Sequence, residues 1–287
     1  MNVSERFGGT ERLFGRAAAE RLAASHFVVI GIGGVGSWAA EALARTAVGR
    51  ITLIDLDDIC VSNVNRQIHA LSTTVGQLKV EAMAERLVLI NPDCRVVPIA
   101  DFITPANLAA LIPADADGVI DAIDSIKAKA ALIAHCRRQK IRLVTTGGAG
   151  GQTDPTQIQV ADLSRTVHDP LAAKTRSVLR RDYGFPSADK GKFGIDCVFS
   201  TEQLVYPQAD GSVCATKPPS GTSARLDCAT GFGASMMVTA SFGLTAAAHL
   251  VNKILQSKPV PTQPAPTQPA PTQTAPTKTA HTEGSQL

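Results

Sequence analysis

The sequence has no pair of cysteines at C-x-x-C spacing, although it contains six cysteines. Structural zinc sites take paired ligands at short spacing, so this absence argues against a zinc-binding module. The N-terminal segment is polar and contains Glu5, Arg6, Glu11 and Arg12, which is not the pattern of a secretory signal. We therefore expect free thiols and a cytoplasmic location.

Large apolar residues are nearly absent from residues 258–287, a repeat of Pro, Thr, Gln and Ala. Such a segment has too little apolar surface to offset the entropy lost on ordering it. We expect a disordered tail there. Residues 1–257 then have the length of one large α/β domain.

Formal charge is absent from residues 229–251, a run long enough to span a bilayer. The run is rich in Gly, Ala, Ser and Thr, which contribute little transfer free energy. We favour a buried helix that its neighbours approach closely. Peripheral or single-helix membrane association is the alternative.

No strong excess of one charge sign is present, since the net charge is +3. Basic residues nevertheless cluster within 174–192, at Lys174, Arg176, Arg180, Arg181, Lys190 and Lys192. Such a cluster suits RNA phosphates, and Tyr183 or Phe185 could stack on a splayed base. A solvated helix face explains the same pattern.

Short apolar runs alternate with helical patterns through the first half of the chain. Strands are predicted near residues 27–30, 51–55, 95–99, 118–120 and 142–146, and helices near 11–24, 34–46, 76–90 and 127–139. This alternation predicts an α/β fold with a doubly wound, mostly parallel sheet and a Rossmann-like core. Ligands of such sheets bind at the carboxyl ends of the strands.

A glycine-rich loop follows the first predicted strand. Gly31, Gly33 and Gly36 stand at G-x-G-x-x-G spacing, and Gly34 lies between them. Such glycines make a tight turn, admit a phosphate close to the backbone and let the next helix pack on the strand. The loop indicates a nucleotide site, but it does not distinguish a hydride-carrying dinucleotide from a nucleotide that is consumed.

The residues after the second strand favour a consumed triphosphate. Asp55 has the spacing of an acid that binds ribose hydroxyls, and Asp57, Asn63 and Arg66 follow it. Lys79 lies on the next helix. Two cations at one phosphate site suit a triphosphate that gains charge as its α-phosphorus is attacked.

Asp124 ends the fourth strand, in DAIDS, and faces the same crevice. A carboxylate placed there can hold the Mg²⁺ that accompanies ATP. Taken singly, each of these charged residues could be a surface charge or a helix cap. Together they predict a site for ATP and magnesium.

Several strings carry a family resemblance. GIGGVGS, LIDLDDICVSNVNRQ, GQLKVEAMAERLVLINP and DAIDS resemble the adenylating domain of ubiquitin-activating enzymes and their bacterial relatives. RFGGTERLFG, NRQIHAL, VTTGGAGGQTDPTQIQVADL, DPLAAK and DCVFSTE are more specifically similar to the tRNA threonylcarbamoyladenosine dehydratase family. This narrower resemblance covers about residues 6–252.

The resemblance implies that ATP adenylates the threonyl carboxylate of threonylcarbamoyladenosine in tRNA. An atom of the modification then attacks the activated acyl group, which closes a ring and releases AMP. The family is also named after a cysteine desulfurase and sulfur acceptor system, which the resemblance makes a candidate partner. A catalytic thiol at Cys197, Cys214 or Cys228 would serve sulfur transfer, but an inert buried thiol is the more usual fate of a lone cysteine.

The resemblance also implies roles for individual residues. The backbone of Gly31, Gly33, Gly34 and Gly36 would contact the nucleotide, with Asp55 on the ribose. Asn63 and Arg66 match positions that contact phosphates, Lys79 the position that stabilises the α-phosphate, and Asp124 the magnesium position. Arg12 matches an arginine that enters the ATP site of a partner subunit, which implies a homodimer.

Two other functions remain open at this stage. An adenylating enzyme for a sulfur-carrier protein would share the ATP site and differ in the acyl acceptor. A nicotinamide-dependent oxidoreductase, or a non-catalytic nucleotide-binding subunit, would need only the glycine loop and Asp55. Arg66, Lys79 and Asp124 together argue against this second group.

Overall fold

Seven strands form one sheet in the order β3-β2-β1-β4-β5-β7-β6. The strands are β1 His26–Ile30, β2 Arg50–Ile54, β3 Arg95–Ile99, β4 Gly118–Asp121, β5 Arg142–Thr146, β6 Ile158–Asp162 and β7 Asp196–Ser200. All neighbouring pairs are parallel except β6 and β7. A separate two-stranded sheet joins β8 Tyr206–Pro207 to β9 Val213–Cys214. The doubly wound fold class is confirmed.

Eight α-helices accompany these strands in the computed structural model, which describes residues 3–187, 189–208, 210–216 and 232–257. They are α1 Val3–Phe14, α2 Arg16–Ala24, α3 Gly36–Arg45, α4 Lys79–Ile90, α5 Leu108–Leu111, α6 Ile126–Gln139, α7 Pro170–Tyr183 and α8 Met236–Gln256. The predicted tail, residues 258–287, lies outside the described residues.

The middle of the sheet is buried on both faces, as strand β1 shows. Every residue of β1 is buried. Phe27 and Val29 belong to a core with α3, α4 and α8, whereas Val28 and Ile30 belong to a second core with α6 and α7. Alternation along one strand thus supplies two cores, as in a parallel sheet covered by helices on both sides.

Residues 236–251 of the uncharged segment lie in α8, which packs against α3. A Cβ atom at Gly243 would lie 2.3 Å from the Val35 carbonyl oxygen and 3.1 Å from Trp38 Cβ, so only glycine permits this approach. The predicted close-packed buried helix is confirmed. Among the described residues, no helix combines the length and apolar character needed to cross a membrane.

Two predicted helices differ from the structure at their N-terminal parts. The helix predicted near 11–24 is instead two helices, because Gly15 adopts a φ of 86° between α1 and α2. The helix predicted from residue 76 begins at Lys79, because Gly76 has a φ of 89° and Leu78 is extended. Both breaks lie at a glycine in the left-handed region, where other residues are strained.

Candidate active site

A cavity of about 630 Å³ lies at the carboxyl ends of β1, β2, β4 and β5. The strand order reverses between β1 and β4, which is where open α/β sheets bind their ligands. Nine of the predicted site residues line the cavity: Gly31, Gly33, Gly34, Asp55, Asp57, Asn63, Arg66, Lys79 and Asp124. Gly36 and Arg12 do not line it.

The glycine loop owes its shape to contacts that no side chain would allow. Gly31 has a φ of 83°, and a Cβ atom there would lie 2.8 Å from the Ala122 carbonyl oxygen. A Cβ atom at Gly36 would lie 1.8 Å from the Gly31 carbonyl oxygen. Gly36 therefore lets α3 pack against the loop, and its contact with the nucleotide stays a prediction. Gly33 and Gly34 remain at the cavity wall.

Asp55, directly after β2, is buried, and its carboxylate holds both the glycine loop and the loop that follows β2. Its Oδ2 accepts a hydrogen bond from the Ile32 amide at 2.6 Å, and its Oδ1 accepts one from the Asp57 amide at 2.9 Å. A carboxylate offers about four acceptor sites. Asp55 can therefore hold the glycine loop and still accept a ribose hydroxyl.

Lys79 and Asp57 form an ion pair at the cavity wall. Lys79 Nζ lies 2.6 Å from Asp57 Oδ2, and the Lys79 side chain is 8% exposed against 53% for Asp57. The Lys79 amide also donates to the Asp57 carbonyl oxygen at 3.0 Å. Asp57, predicted as a nucleotide-binding residue, is thus the residue that holds the Lys79 ammonium group.

Asn63 and Arg66 lie on a turn between Asp57 and Lys79. Asn63 is buried, and its Oδ1 accepts a hydrogen bond from the Cys60 amide at 3.1 Å. The Arg66 guanidinium donates to the Ser62 carbonyl oxygen and to Asn65 Oδ1, while its methylene groups lie over Gly34. These local bonds hold both side chains at the mouth of the glycine loop.

Gln67 also lines the cavity, although the sequence prediction assigned it no role. Its side chain is 6% exposed, and Oε1 has no hydrogen-bond partner among the described residues. An unpaired buried acceptor costs about 1–3 kcal/mol. A polar ligand with a donor group would satisfy it, so the cavity fits a nucleotide. Its place directly after Arg66 was the available sequence signal.

Asp124 is exposed in the loop between β4 and α6, three residues beyond the strand end that was predicted for it. Within the described part of the chain, no group of three or more His, Cys, Asp or Glu residues could hold a metal ion. Magnesium commonly binds through one or two carboxylates together with substrate phosphates and waters. Asp124 fits that mode, in which the metal arrives with the nucleotide.

A buried ion pair lies beneath the loop that carries Asp124. Lys129 Nζ lies 2.9 Å from Asp121 Oδ2, and the exposed fractions of these side chains are 2% and 0%. Thr145 Oγ1 donates to the same carboxylate, and Asp121 Oδ1 accepts from the Ile123 amide. The cluster anchors the start of the loop. No local pattern indicated it, because α6 and β5 supply its other members.

The predicted RNA-binding cluster is only partly available. Phe185 is buried, with its ring 5.0 Å from that of Phe193 in an edge-to-face arrangement. The prediction that Phe185 stacks on a base is therefore wrong, because Phe185, just after the C-terminal end of α7, packs into the core. Tyr183 is half-buried against the same core.

The basic residues of this cluster differ in their surroundings. Arg180 donates to the Pro186 carbonyl oxygen and lies over the Phe193 ring, and Arg181 forms an ion pair with Asp182. Lys174, Lys190 and Lys192 are exposed. Arg176 is half-buried and lines a second, smaller cavity.

The candidate thiols have different environments. Cys197 is fully buried in β7, and burial raises its pKa far above the ordinary value, so it does not serve as a nucleophile. Cys214 is half-buried in β9. Cys228 lies outside the described residues.

Comparison with known proteins identifies the family. Residues 10–283 match the model of the ThiF family. The chain belongs to the ThiF family. It is 61% identical to the tRNA threonylcarbamoyladenosine dehydratase of Escherichia coli K12 over 88% of this chain and 94% of that protein. The dehydratase of Haemophilus influenzae is 55% identical over 90% of this chain and 96% of that protein.

A solved structure shows that this ThiF protein has the fold of the Escherichia coli dehydratase. The crystal structure of the Escherichia coli dehydratase TcdA in complex with ATP superposes with a TM-score of 0.78. The two chains are 56% identical, and the match covers 88% of this chain and 94% of that one. The similarity thus extends far beyond the glycine loop.

Proposed function

We propose that this protein uses ATP to dehydrate threonylcarbamoyladenosine in tRNA. The observation that carries the proposal is 61% identity to a dehydratase of that name over 94% of its length. The clustering of Asp55, Arg66, Lys79 and Asp124 around one cavity supports ATP as the co-substrate. Because the similarity extends over nearly all of that relative, it favours the same acyl acceptor over a sulfur-carrier protein.

The reaction begins at the threonyl carboxylate, which is a poor electrophile while it is ionised. One of its oxygens attacks the α-phosphorus of ATP, and pyrophosphate leaves. An atom of the threonylcarbamoyl group then attacks the acyl carbon and closes a ring, while the original carboxylate oxygen departs with AMP. This second step is intramolecular, so proximity supplies much of its rate.

The residues of the cavity have distinct tasks in the first step. Gly33 and Gly34 present backbone to the phosphates, and Asp55 binds the ribose. Lys79 and Arg66 stabilise the charge that develops on the α-phosphate. Asn63 contacts the phosphates from the turn that also carries Arg66.

Asp124 holds Mg²⁺, which neutralises phosphate charge when it is bound with ATP. The protein itself contributes the position of the carboxylate, through the Asp121–Lys129 pair beneath the loop. The magnesium site is therefore complete only in the presence of the nucleotide.

Arg12 acts on the ATP of a partner subunit in a homodimer. It is exposed on α1, and the cavity of its own chain is not lined by it. Arg6, on the same helix, donates to the carbonyl oxygen of Ile90 at the C-terminal end of α4, whereas Lys79 marks the end of α4 at the cavity. The start of α1 is thus at the far end of α4 from the cavity of its own chain, and α1 is kinked at Phe7 before it reaches Arg12. This placement supports action of Arg12 in trans.

A cytoplasmic location follows from the proposed tRNA substrate. The cysteine desulfurase and sulfur acceptor system stays a predicted partner.

The test is an assay of AMP formation with three parallel inputs: threonylcarbamoylated tRNA, a purified sulfur-carrier protein, and NADH. We expect AMP only with the modified tRNA, whose nucleoside should lose the mass of one water. Unmodified tRNA is the matched control. AMP formation driven by the carrier protein, with the nucleoside unchanged, would overturn the proposal.

A further inference from the structure

A second cavity of about 310 Å³ lies beside the first, on the other side of the start of α7. Leu171 lines the nucleotide cavity, whereas its neighbour Pro170 and the following Ala173 line the second one. The two cavities are thus separated by one helical turn. A large substrate bound over the first cavity therefore passes close to the second.

The second cavity is lined by a cationic side chain, that of Arg176, which has more N–H donors than its bond to Thr166 uses. The half-buried Arg176 guanidinium donates to Thr166 Oγ1, and arginine carries five N–H donors. Burial lowers the pKa of Arg176, and arginine nevertheless remains cationic at neutral pH. His168 also lines the cavity, and its Nδ1 lies 3.1 Å from the Thr201 carbonyl oxygen.

Asp169 is the carboxylate that lines this cavity, and it is occupied by backbone groups. Its oxygens accept hydrogen bonds from the amides of Ala172 and Gly148. Burial raises the pKa of Asp169 more than these bonds lower it. Asp169 acts on Arg176 through its charge, but no ion pair joins the two among the described residues, so the guanidinium keeps N–H donors for an anion.

Two aromatic rings lie between the cavities. The ring centroids of Tyr206 and Phe232 are 5.2 Å apart. Tyr206 lines the second cavity and Phe232 lines the first. Phe232 is 41% exposed, in a chain with only 4% aromatic residues. The exposed Phe232 ring thus lies beside the half-buried Tyr206 ring, where the linings of the two cavities meet.

The last two glycines of GGAGG form the seat of Phe232. A Cβ atom at Gly150 would lie 2.9 Å from Phe232 Cβ, and one at Gly151 would lie 3.0 Å from Phe232 Cδ1. The Gly151 amide donates to the Gly233 carbonyl oxygen at 2.7 Å, and the Val205 amide donates to the Gly151 carbonyl oxygen at 2.9 Å. These contacts fix both rings against the loop that closes the ATP cavity.

We propose that the Tyr206–Phe232 pair and Arg176 form a subsite for the anticodon loop of tRNA. The exposed ring face of Phe232 stacks on the modified base or its neighbour, and Arg176, with His168, binds a flanking phosphate. Single-stranded RNA is recognised by this combination of stacking and phosphate contacts. The inference rests on the proposed function, since it names the residues that would deliver the substrate.

The test uses the full-length protein and a fluorescent anticodon stem-loop that carries threonylcarbamoyladenosine. Phe232→Leu removes the ring but retains apolar volume, and Phe232→Tyr restores the ring. Arg176→Gln removes the charge and Arg176→Lys restores it. Arg181→Gln is the matched control, because Arg181 lies on the same helix but pairs with Asp182.

We expect Phe232→Leu and Arg176→Gln each to weaken stem-loop binding roughly tenfold or more. For Arg176→Gln, which lies outside the nucleotide cavity, Kd for ATP should be unchanged. Phe232→Tyr, Arg176→Lys and Arg181→Gln should bind nearly as the wild type does. Only Arg176→Gln should reduce the slope of log Kd against log salt, by roughly 0.7 for one phosphate contact. A melting temperature for each variant separates lost binding from lost folding.

The outcomes distinguish this inference from the proposed function. Wild-type binding by folded Phe232→Leu and Arg176→Gln would overturn the subsite, even if the dehydration is observed. If these variants bind the stem-loop more weakly but the wild-type protein forms no AMP with modified tRNA, the subsite is supported and the proposed function is overturned. Equal losses with Arg181→Gln would also overturn the subsite.

Discussion

Lys79 Nζ lies 2.6 Å from Asp57 Oδ2, and this pair fixes the ammonium group at the wall of the nucleotide cavity. The Lys79 side chain is almost fully buried, so its orientation is set before ATP binds. Charge that is oriented in advance stabilises a transition state without the cost of reorganisation. We therefore propose Asp57 as a positioning residue for Lys79.

Lys79→Met should lower kcat by about 10²–10³-fold, the effect of losing one preorganised donor in other enzymes. Asp57→Asn should lower kcat less, because the ammonium group remains but is no longer held. Neither change should abolish ATP binding, which the glycine loop and Asp55 support. Steady-state kinetics and nucleotide titration would check this. Near-normal turnover of Lys79→Met would contradict the assigned role.

Asp124→Asn should reduce turnover most strongly at limiting Mg²⁺, with partial recovery as the Mg²⁺ concentration rises. The reason is that a neutral amide binds a hard cation less well than a carboxylate does. Asp93→Asn is the control, since Asp93 is exposed after α4 and does not line the cavity. The role of Asp124 is wrong if turnover at limiting Mg²⁺ stays normal.

Arg12→Ala and Lys79→Ala homodimers should each be nearly inactive. A mixed dimer should regain activity, because one of its sites combines the intact Arg12 of one chain with the intact Lys79 of the other. Arg16→Ala is the control, since Arg16 is exposed on α2 and pairs with Glu20. Subunit exchange is verified by native mass. Exchange without recovered activity would make Arg12 a local structural residue.

Lys129→Met should destabilise the protein by about 3–5 kcal/mol, because it leaves the buried Asp121 carboxylate without its cation. Adding Asp121→Asn should recover part of this loss, since the remaining amide carries no charge. Urea unfolding would measure both effects. A loss below about 1 kcal/mol for Lys129→Met, the range of exposed ion pairs, would contradict this account.

The strands and the glycine loop could be predicted because their signals are local. Apolar runs mark β1 and β2, and the spacing of Gly31, Gly33 and Gly36 marks the turn between strand and helix. The packing role of Gly36 needed coordinates, because it depends on the distance to the Gly31 carbonyl oxygen.

Other features depend on contacts between distant segments and could not be read from a local pattern. Because Phe185 follows a basic helix, the local sequence suggests that its ring is exposed. In the structure, Phe193 and Arg137 enclose it. The Asp121–Lys129 pair joins β4 to α6 with Thr145 of β5. Phe232 was identifiable only once its seat on Gly150 and Gly151 was known.

The central claim is that the threonyl carboxylate is adenylated, and isotope transfer tests it most directly. Threonylcarbamoylated tRNA with both carboxylate oxygens replaced by ¹⁸O is incubated with ATP and the protein. The account predicts one ¹⁸O atom in AMP and one in the cyclised nucleoside, because the oxygen that attacks the α-phosphorus leaves with it. Unlabelled AMP alongside a cyclised nucleoside, or ¹⁸O in inorganic phosphate with ADP as the product, would contradict it.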